Sequence, residues 1–243
     1  MRHLEIAGDE GTAHVDHIPT GWMVELFGAT SPDAAIERLH AALEVVADEG
    51  GGLARLWVRH GDDAARAAAQ ALGLTEERSL HQLRRPLPVD LPWSLDTRPF
   101  VVGQDEQAWL DVNNRAFHWH PEQGGWTLDD LRERMAEPWF DPEGFLLHEE
   151  GGRLLGFCWT KEHRDVEPPL GEIYVIAADP DAGRKGLGTA LTLAGLDHLH
   201  RRGLDLGMLY VDGGNDKGMA MYDHLGFVVH HTDVSWTIEV APR

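Results

Sequence analysis

Apolar and polar positions divide the chain into two stretches of different clarity. From about residue 98 onward the rhythm is sharp. Asp105–Phe117 and Thr127–Glu137 carry apolar residues at helical spacing, with Thr127 placed as an N-cap. Gly144–Glu149 and Arg153–His163 alternate like the arms of a hairpin around Glu150-Gly151-Gly152. A strand Glu172–Ala178, a helix Gly186–Arg202, a strand Asp205–Val211, a helix Asn215–His224 and a last strand region Phe227–Val240 follow. The predicted order is strand, two helices, three strands, helix, strand, helix, strand.

The first stretch reads as a reduced version of the same order. A hairpin over His3–Ile18, a strand Gly21–Gly28, a helix Ser31–Glu49, a strand Leu53–His60, a helix Asp63–Leu72 and a strand Thr75–Leu87 are predicted. An opening strand and two opening helices have no counterpart here. Between the two stretches, Arg85–Pro99 holds four prolines and no periodicity. This divides the chain into residues 1–85, a proline-rich linker 86–97, and residues 98–243.

Composition changes this picture little. With 243 residues, 42% hydrophobic and 26% charged, the chain is long enough to bury a full core. A formal charge of −20 argues against nucleic acid as a partner. No apolar run approaches the roughly 20 residues of a membrane helix, and MRHLEIAGDEG has no signal-peptide core, so a cytoplasmic protein is expected. Cys158 is the only cysteine and falls at an alternating strand position, which fits a buried hydrophobe. The histidines at 118, 120, 148, 230 and 231 lack metal-ligand spacing, and no metal is expected.

The candidate chemistry centres on GEIYVIAADPDAGRKGLGTAL, Gly171–Leu191, in which an apolar strand passes through an Asp-Pro turn and a glycine-rich loop into a helix. Backbone N–H groups and the positive end of the helix macrodipole converge in such a loop, so it can hold a pyrophosphate. It is neither a Walker loop nor a Rossmann fingerprint, whose third glycine is replaced by Leu191. It resembles the acetyl-coenzyme A loop of the GNAT acetyltransferases, usually Gln or Arg, two residues, Gly, one residue, then Gly or Ala. Here the first position is Gly183, which predicts acetyl-CoA binding weaker than the family norm. The strand Gly21–Gly28 of the first stretch, by contrast, enters its helix through ATSPDAAIERL with no paired glycines, so that loop is lost there.

Acetyl transfer to an amine needs a base for the ammonium and a proton for the departing thiolate. Glu172 opens the strand beside the loop among apolar neighbours, and the alternative for it is an exposed strand-end carboxylate. Tyr222, in NDKGMAMYDHLGF, offers a phenol of pKa about 10 to a thiolate of similar pKa, and the alternative for it is core packing. The nine tryptophans, Trp126, Trp139 and Trp159 among them, offer rings for a sugar site, with core packing expected for most of them.

NNRAFHWHPEQGGWT, PWFDPEGFLL, RLLGFCWTKEH, GEIYVIAADP and LYVDGGN together resemble the mycothiol synthase family, tandem GNAT enzymes. The resemblance implies a mixed α/β, tandem GNAT fold with a complete catalytic domain at 98–243 and a shortened, degenerate GNAT-like domain at 1–85. It implies acetyl-CoA as co-substrate, no metal, and the cysteinyl amine of cysteinyl-glucosaminyl-inositol as acceptor. Glu172 then matches the base and Tyr222 the general acid. Ile176, Ala177 and Ala178 match the strand that pairs with pantetheine. Gly183, Arg184, Lys185, Gly186, Leu187, Gly188 and Thr189 match the pyrophosphate loop, and Asn215, Asp216, Lys217, Gly218, Met219 and Ala220 a second coenzyme A contact. Glu122, Lys161, Glu172 and Tyr210 match acceptor-holding positions. A monomer acting on small molecules is expected. The competing readings are a GNAT enzyme for another small amine and a non-catalytic acyl-CoA-binding protein.

Overall fold

The computed structural model describes residues 3–8, 10–119 and 123–243, and the chain divides into two compact units. The first unit comprises residues up to 81, 211–216 and 230–243, and the second 82–210 and 217–229.

In the first unit, β1 (His3–Gly8), β2 (Gly11–Ile18) and β3 (Gly21–Phe27) form an antiparallel meander. Helix α1 (Pro32–Asp48) returns the chain to β4 (Gly52–Val58), which runs parallel to β3. Helix α2 (Asp63–Ala71) and the start of β5 (Thr75–Pro86) follow. The period-two pattern buries Ala13, Val15, Trp22, Val24, Ala54, Leu56 and Val58 against Leu39, Ala42 and Val46 of α1. Both helices start on side-chain caps: Ser31 Oγ accepts from Ala34 N at 3.2 Å and Asp62 from Ala65 N at 2.9 Å.

The second unit takes β5 from Gln82, then β6 (Arg98–Pro99), α3 (Glu106–Ala116), α4 (Leu128–Met135), β7 (Phe145–Glu150), β8 (Arg153–His163), β9 (Leu170–Ala178), α5 (Leu187–Arg201), β10 (Leu206–Asp212) to Tyr210, and α6 (Asp216–His224) from Lys217. The last strand, β11 (Val228–Val240), closes the first unit against β4 in antiparallel register, from Val234 opposite Val58. The predicted order of the second stretch is present, with element ends shifted by at most two residues and the two-residue β6 as the opening strand. Within the second unit the strands lie in the order β6, β7, β8, β9, β10, β5.

Two features of this sheet position the site. First, β9 and β10 run parallel but pair only at Gly171–Gly207 and Glu172–Met208. From Ile173 on, β9 keeps its ladder with β8 and has none with β10, so the sheet splits immediately past Glu172. Second, the β8–β9 register shifts where Trp159 and Thr160 face Val175 and Ile173, leaving Tyr174 as an extra residue. Through this bulge Tyr174, Val175 and Ala177 all face the aromatic core built on Trp109, Phe145, Phe157 and Trp159. Trp109 of α3 stands edge-on to Trp159 at 5.9 Å and Phe145 stacks on Trp159 at 4.3 Å.

Helix α5 packs against the other face. A Cβ on Gly195 would collide with Cys158 Sγ and lie 2.7 Å from Ile173 Cδ1, so only glycine lets α5 lie this close to the strands. Cys158 is fully buried beneath it, and burial pushes its thiol far above the ordinary range.

Asp179 terminates β9. Its side chain is sealed from solvent, and its backbone N–H donates to Leu155 O at 2.8 Å. Arg115 of α3 and Arg153 of β8 each reach its Oδ2 at 2.8 Å, and Asp181 N donates to Oδ1 at 3.0 Å. Burial alone would raise this carboxyl, but the bonds from Arg115, the Asp181 amide and Arg153 outweigh it and hold the pKa at about 2.

Replacing Gly195 with Val is expected to overpack the α5 contact, cost about 1–3 kcal/mol, and lower the melting midpoint by roughly 2–4 °C per kcal/mol. A thermal melt within 1 °C (about half the smallest shift expected) of the parent would refute the close-packing argument. Asp179→Asn is expected to lose about 1–2 kcal/mol at pH 7, the linkage value reduced because both arginines are half exposed. The folded pKa lies below the unfolded one, so this stabilisation is complete above pH about 4 and disappears as the pH falls through about 2. Urea titrations of parent and variant should therefore converge in that window, and a difference that stays constant down to pH 2 would contradict the assignment.

Candidate active site

Glycine dictates the loop between β9 and α5. Gly183 has φ 62° and Gly186, which precedes α5, has φ 79°, both in the left-handed region. A Cβ at either would meet nothing within 4 Å, so the requirement is conformational rather than steric. A Gln at 183, the common residue of the resembled loop, would be strained by about 1–2 kcal/mol in this conformation. The glycine therefore reflects the path of this loop and not simply a missing contact.

No side chain caps α5. Leu187 is buried and anchors the first turn, while Gly188 and Thr189 are half-buried beside it. The 15-residue α5 presents the amides of its first turn and its dipole at the exposed loop Gly183–Gly186. Lys185 stands exposed in this loop and Lys217 in the first turn of α6, and no described residue pairs with either. Arg184 is different. Its guanidinium is bound to Glu150 and to His148 Nε2, so its charge is already engaged. A Cβ on Gly188 would touch Met221 Sδ at 3.5 Å, which brings the start of α5 beside α6. Gly218 and Met219 are half-buried and Ala220 exposed on α6, whereas Asn215 and Asp216 belong to the first unit, where Asn215 N donates to Asp212 O at 2.9 Å.

The split in the sheet begins beside Glu172. This residue is 7% exposed, so it is a buried carboxylate and not an exposed strand end. His163 Nε2 donates to Glu172 Oε2 at 2.7 Å. Lys161 lies directly opposite Glu172 in the β8–β9 register, yet its Nζ sits 4.5 Å over the Trp139 ring and 5.7 Å from that of Tyr174. Burial pushes the Tyr174 phenol up, with Arg134 opposing and the Glu172 charge adding to it. Ile176 and Ala178 are half-buried and Ala177 buried along the β9 edge that β10 leaves.

Tyr222 is buried on α6, edge-on to Phe227 at 5.6 Å, and burial with a smaller contribution from Cys158 pushes its phenol well above the ordinary range. It packs in the core and still leaves its hydroxyl without a hydrogen bond from any described residue. Tyr210 is exposed on β10, two residues past the partner of Glu172, and its hydroxyl accepts from Gln82 Nε2 at 2.7 Å. Glu122 lies outside the described residues. Among the described residues no group of three or more His, Cys, Asp or Glu converges as a metal site.

The second unit thus brings Glu172, Lys161 and Tyr174 onto one face at the mouth of the split, and the glycine loop of α5 to the end of β9. Sequence reasoning did not single out His163 or Tyr174, and it named Trp139 only among the rings available to a sugar site. The signal for His163 lies in the alternation of RLLGFCWTKEH, which puts it on one face with Lys161.

The model of the acetyltransferase (GNAT) family matches residues 109–227. The mycothiol acetyltransferase of Thermobispora bispora is 49% identical over 210 residues, covering 83% of this chain and 69% of that protein. That of Streptomyces coelicolor is 52% identical over 76% of this chain and 61% of its own length. That of Thermomonospora curvata is 47% identical over 93% of this chain and 77% of its own. This chain therefore spans 61 to 77% of the lengths of these three relatives. Among solved structures, a GCN5-related N-acetyltransferase from Sphaerobacter thermophilus matches with TM-score 0.76 at 21% identity, over 96% of this chain and 78% of that one. A tandem GNAT protein from the clavulanic acid biosynthesis pathway matches with TM-score 0.67 at 16% identity, over 96% and 80%. At those identities the likeness establishes the fold. By relatives of 47 to 52% identity, the chain belongs to the mycothiol acetyltransferase family of GNAT acetyltransferases.

Proposed function

We propose that this protein moves the acetyl group of acetyl-CoA onto the cysteinyl amine of cysteinyl-glucosaminyl-inositol, the step that completes mycothiol. The observation that carries this reading is the pairing of a buried carboxylate, Glu172, with a split in the sheet that leaves the neighbouring edge of β9 unpaired. An unpaired strand edge can hydrogen-bond an extended amide arm such as pantetheine, and Ile176, Ala177 and Ala178 supply that edge.

The local structure fits the remainder of coenzyme A. The amides of Gly186, Leu187, Gly188 and Thr189 at an uncapped helix start suit a pyrophosphate, with Gly183 and Gly186 giving the loop its curvature. Lys185, and Lys217 at the start of α6, supply unpaired cations for further phosphate oxygens. Arg184 is assigned instead to holding the loop against Glu150.

The chemistry requires an unprotonated amine. Glu172 takes one ammonium proton, the nitrogen lone pair attacks the thioester carbonyl, and the C–S bond breaks as the thiolate leaves. Tyr222 gives a proton to that sulfur, and the second N–H proton, lost from nitrogen as the amide forms, restores the phenol. The phenol is protonated at neutral pH, and burial, by raising its pKa, makes it a weaker donor to the thiolate than an ordinary tyrosine. Lys161 and Tyr210 are assigned to the hydroxyls of the acceptor.

Glu172→Gln is expected to lower the rate of amine loss by about 10²–10⁴ while acetyl-CoA affinity changes little. Thiol release from coenzyme A and disappearance of the cysteinyl amine, followed together, provide the measurement. A protein that binds acetyl-CoA but leaves that amine untouched while acetylating another would overturn the substrate assignment.

A further inference from the structure

A lysine directly across a strand pair from a glutamate ordinarily closes an ion pair with it. Lys161 and Glu172 have that register, yet no ion pair joins them. The ammonium rests on Trp139 and Tyr174, and the carboxylate turns to His163, which occupies Oε2 at 2.7 Å. The other oxygen, Oε1, accepts no hydrogen bond from a described residue and is not sealed from solvent. The carboxylate has one fixed oxygen and one open oxygen.

We infer that His163 is the positioning residue of the reacting carboxylate, tying Glu172 Oε2 so that Oε1 faces the incoming ammonium. The inference rests on the reading of Glu172 as the base. The terminal torsion of a glutamate is soft, so a carboxylate without a fixed donor would swing, and Lys161 is the cation directly across the strand pair from it. An ammonium in direct contact would favour the ionised carboxylate and weaken it as a base. An imidazole N–H can hold the same oxygen without a permanent charge. The aromatic seat of Lys161 is the second half of the arrangement, because it keeps that competing cation away from Oε1. In the reaction an N–H bond of the ammonium breaks, its electron pair stays on nitrogen and the proton passes to Oε1. His163 keeps its own proton throughout.

His163 and Glu172 stand nine residues apart on adjacent strands, and His163 is one-quarter exposed, so it can be replaced without opening the core. The test compares His163→Ala and His163→Gln with the parent by steady-state kinetics and by calorimetric titration with acetyl-CoA. Alanine removes the donor, whereas glutamine carries an N–H of similar reach. The expected result is a kcat lowered about 10- to 100-fold in the alanine variant, acetyl-CoA affinity within about twofold of the parent, and recovery to within about fivefold by glutamine. A merely structural role would not place the loss on kcat with binding intact, nor be repaired by an amide. An alanine variant with kcat within about twofold of the parent, or two variants equally impaired, would overturn the inference. If the alanine variant does not fold, a folded glutamine variant impaired tenfold or more does the same. Full activity of Glu172→Gln in that assay would instead overturn the base assignment on which the inference stands.

Discussion

The buried carboxylate of Asp179 determines where β9 ends and the glycine loop begins. It lies in no contact with any proposed reacting group, yet it joins three elements: Arg115 brings α3, Arg153 brings β8, and the Asp181 amide brings the first turn of the loop. An isolated buried charge would be costly, and this one persists because every partner is a charged or amide donor at hydrogen-bond distance. The consequence reaches the site through geometry. Gly183 and Gly186 can take any of several backbone paths, so the direction of the α5 N-terminus depends on a rigid starting point.

The strand-to-helix turns that open α1 and α5 show how local chemistry decides what a helix start can hold. In α1 the Ser31 hydroxyl accepts the Ala34 amide, Pro32 has no N–H to offer, and Glu10, Asp33 and Glu37 line the adjoining cavity. The amides of Ala34 and Ala35 are both taken by Ser31, and three carboxylates outnumber the one guanidinium, that of Arg38, around the cavity. In α5 a left-handed glycine replaces the capping side chain, the loop is exposed, and a lysine precedes the helix. Both turns are sound helix starts. Only the second leaves its amides available.

Much of this was legible in the chain because it depends on local pattern. The helices and strands of the second stretch have consistent periodicity, and the loop of α5 is written in adjacent glycines. Glu172 was recognisable as a candidate because it breaks an apolar strand. Its burial was not, since that depends on its pairing between β8 and β10. The bulge at Tyr174 could not be read, because one extra residue in a strand leaves both period-two phases acceptable. His163 and Asp179 were missed for a related reason. Each acts through a partner 9 to 64 residues away in sequence, and only the strand register brings those partners within reach. Gly195 lies inside a helix, and only the structure shows that it is the contact that lets α5 approach Cys158.

A chain of charge −20 that is read as binding a polyphosphate poses an apparent conflict. Range resolves it. At physiological salt the field of a distant carboxylate decays over about 8 Å, so most of the acidic surface contributes little at any one point. Amides at the start of α5 act at hydrogen-bond distance, where screening is weakest, and their dipoles are fixed by the helix rather than reoriented on binding. Lys185 and Lys217, two of the three lysines in the chain, stand at the starts of the two neighbouring helices, while the arginines are largely held in ion pairs with carboxylates. The same screening holds for the other substrate of the proposed reaction, so what an amine meets at the split is the Glu172 carboxylate at contact distance rather than the net charge.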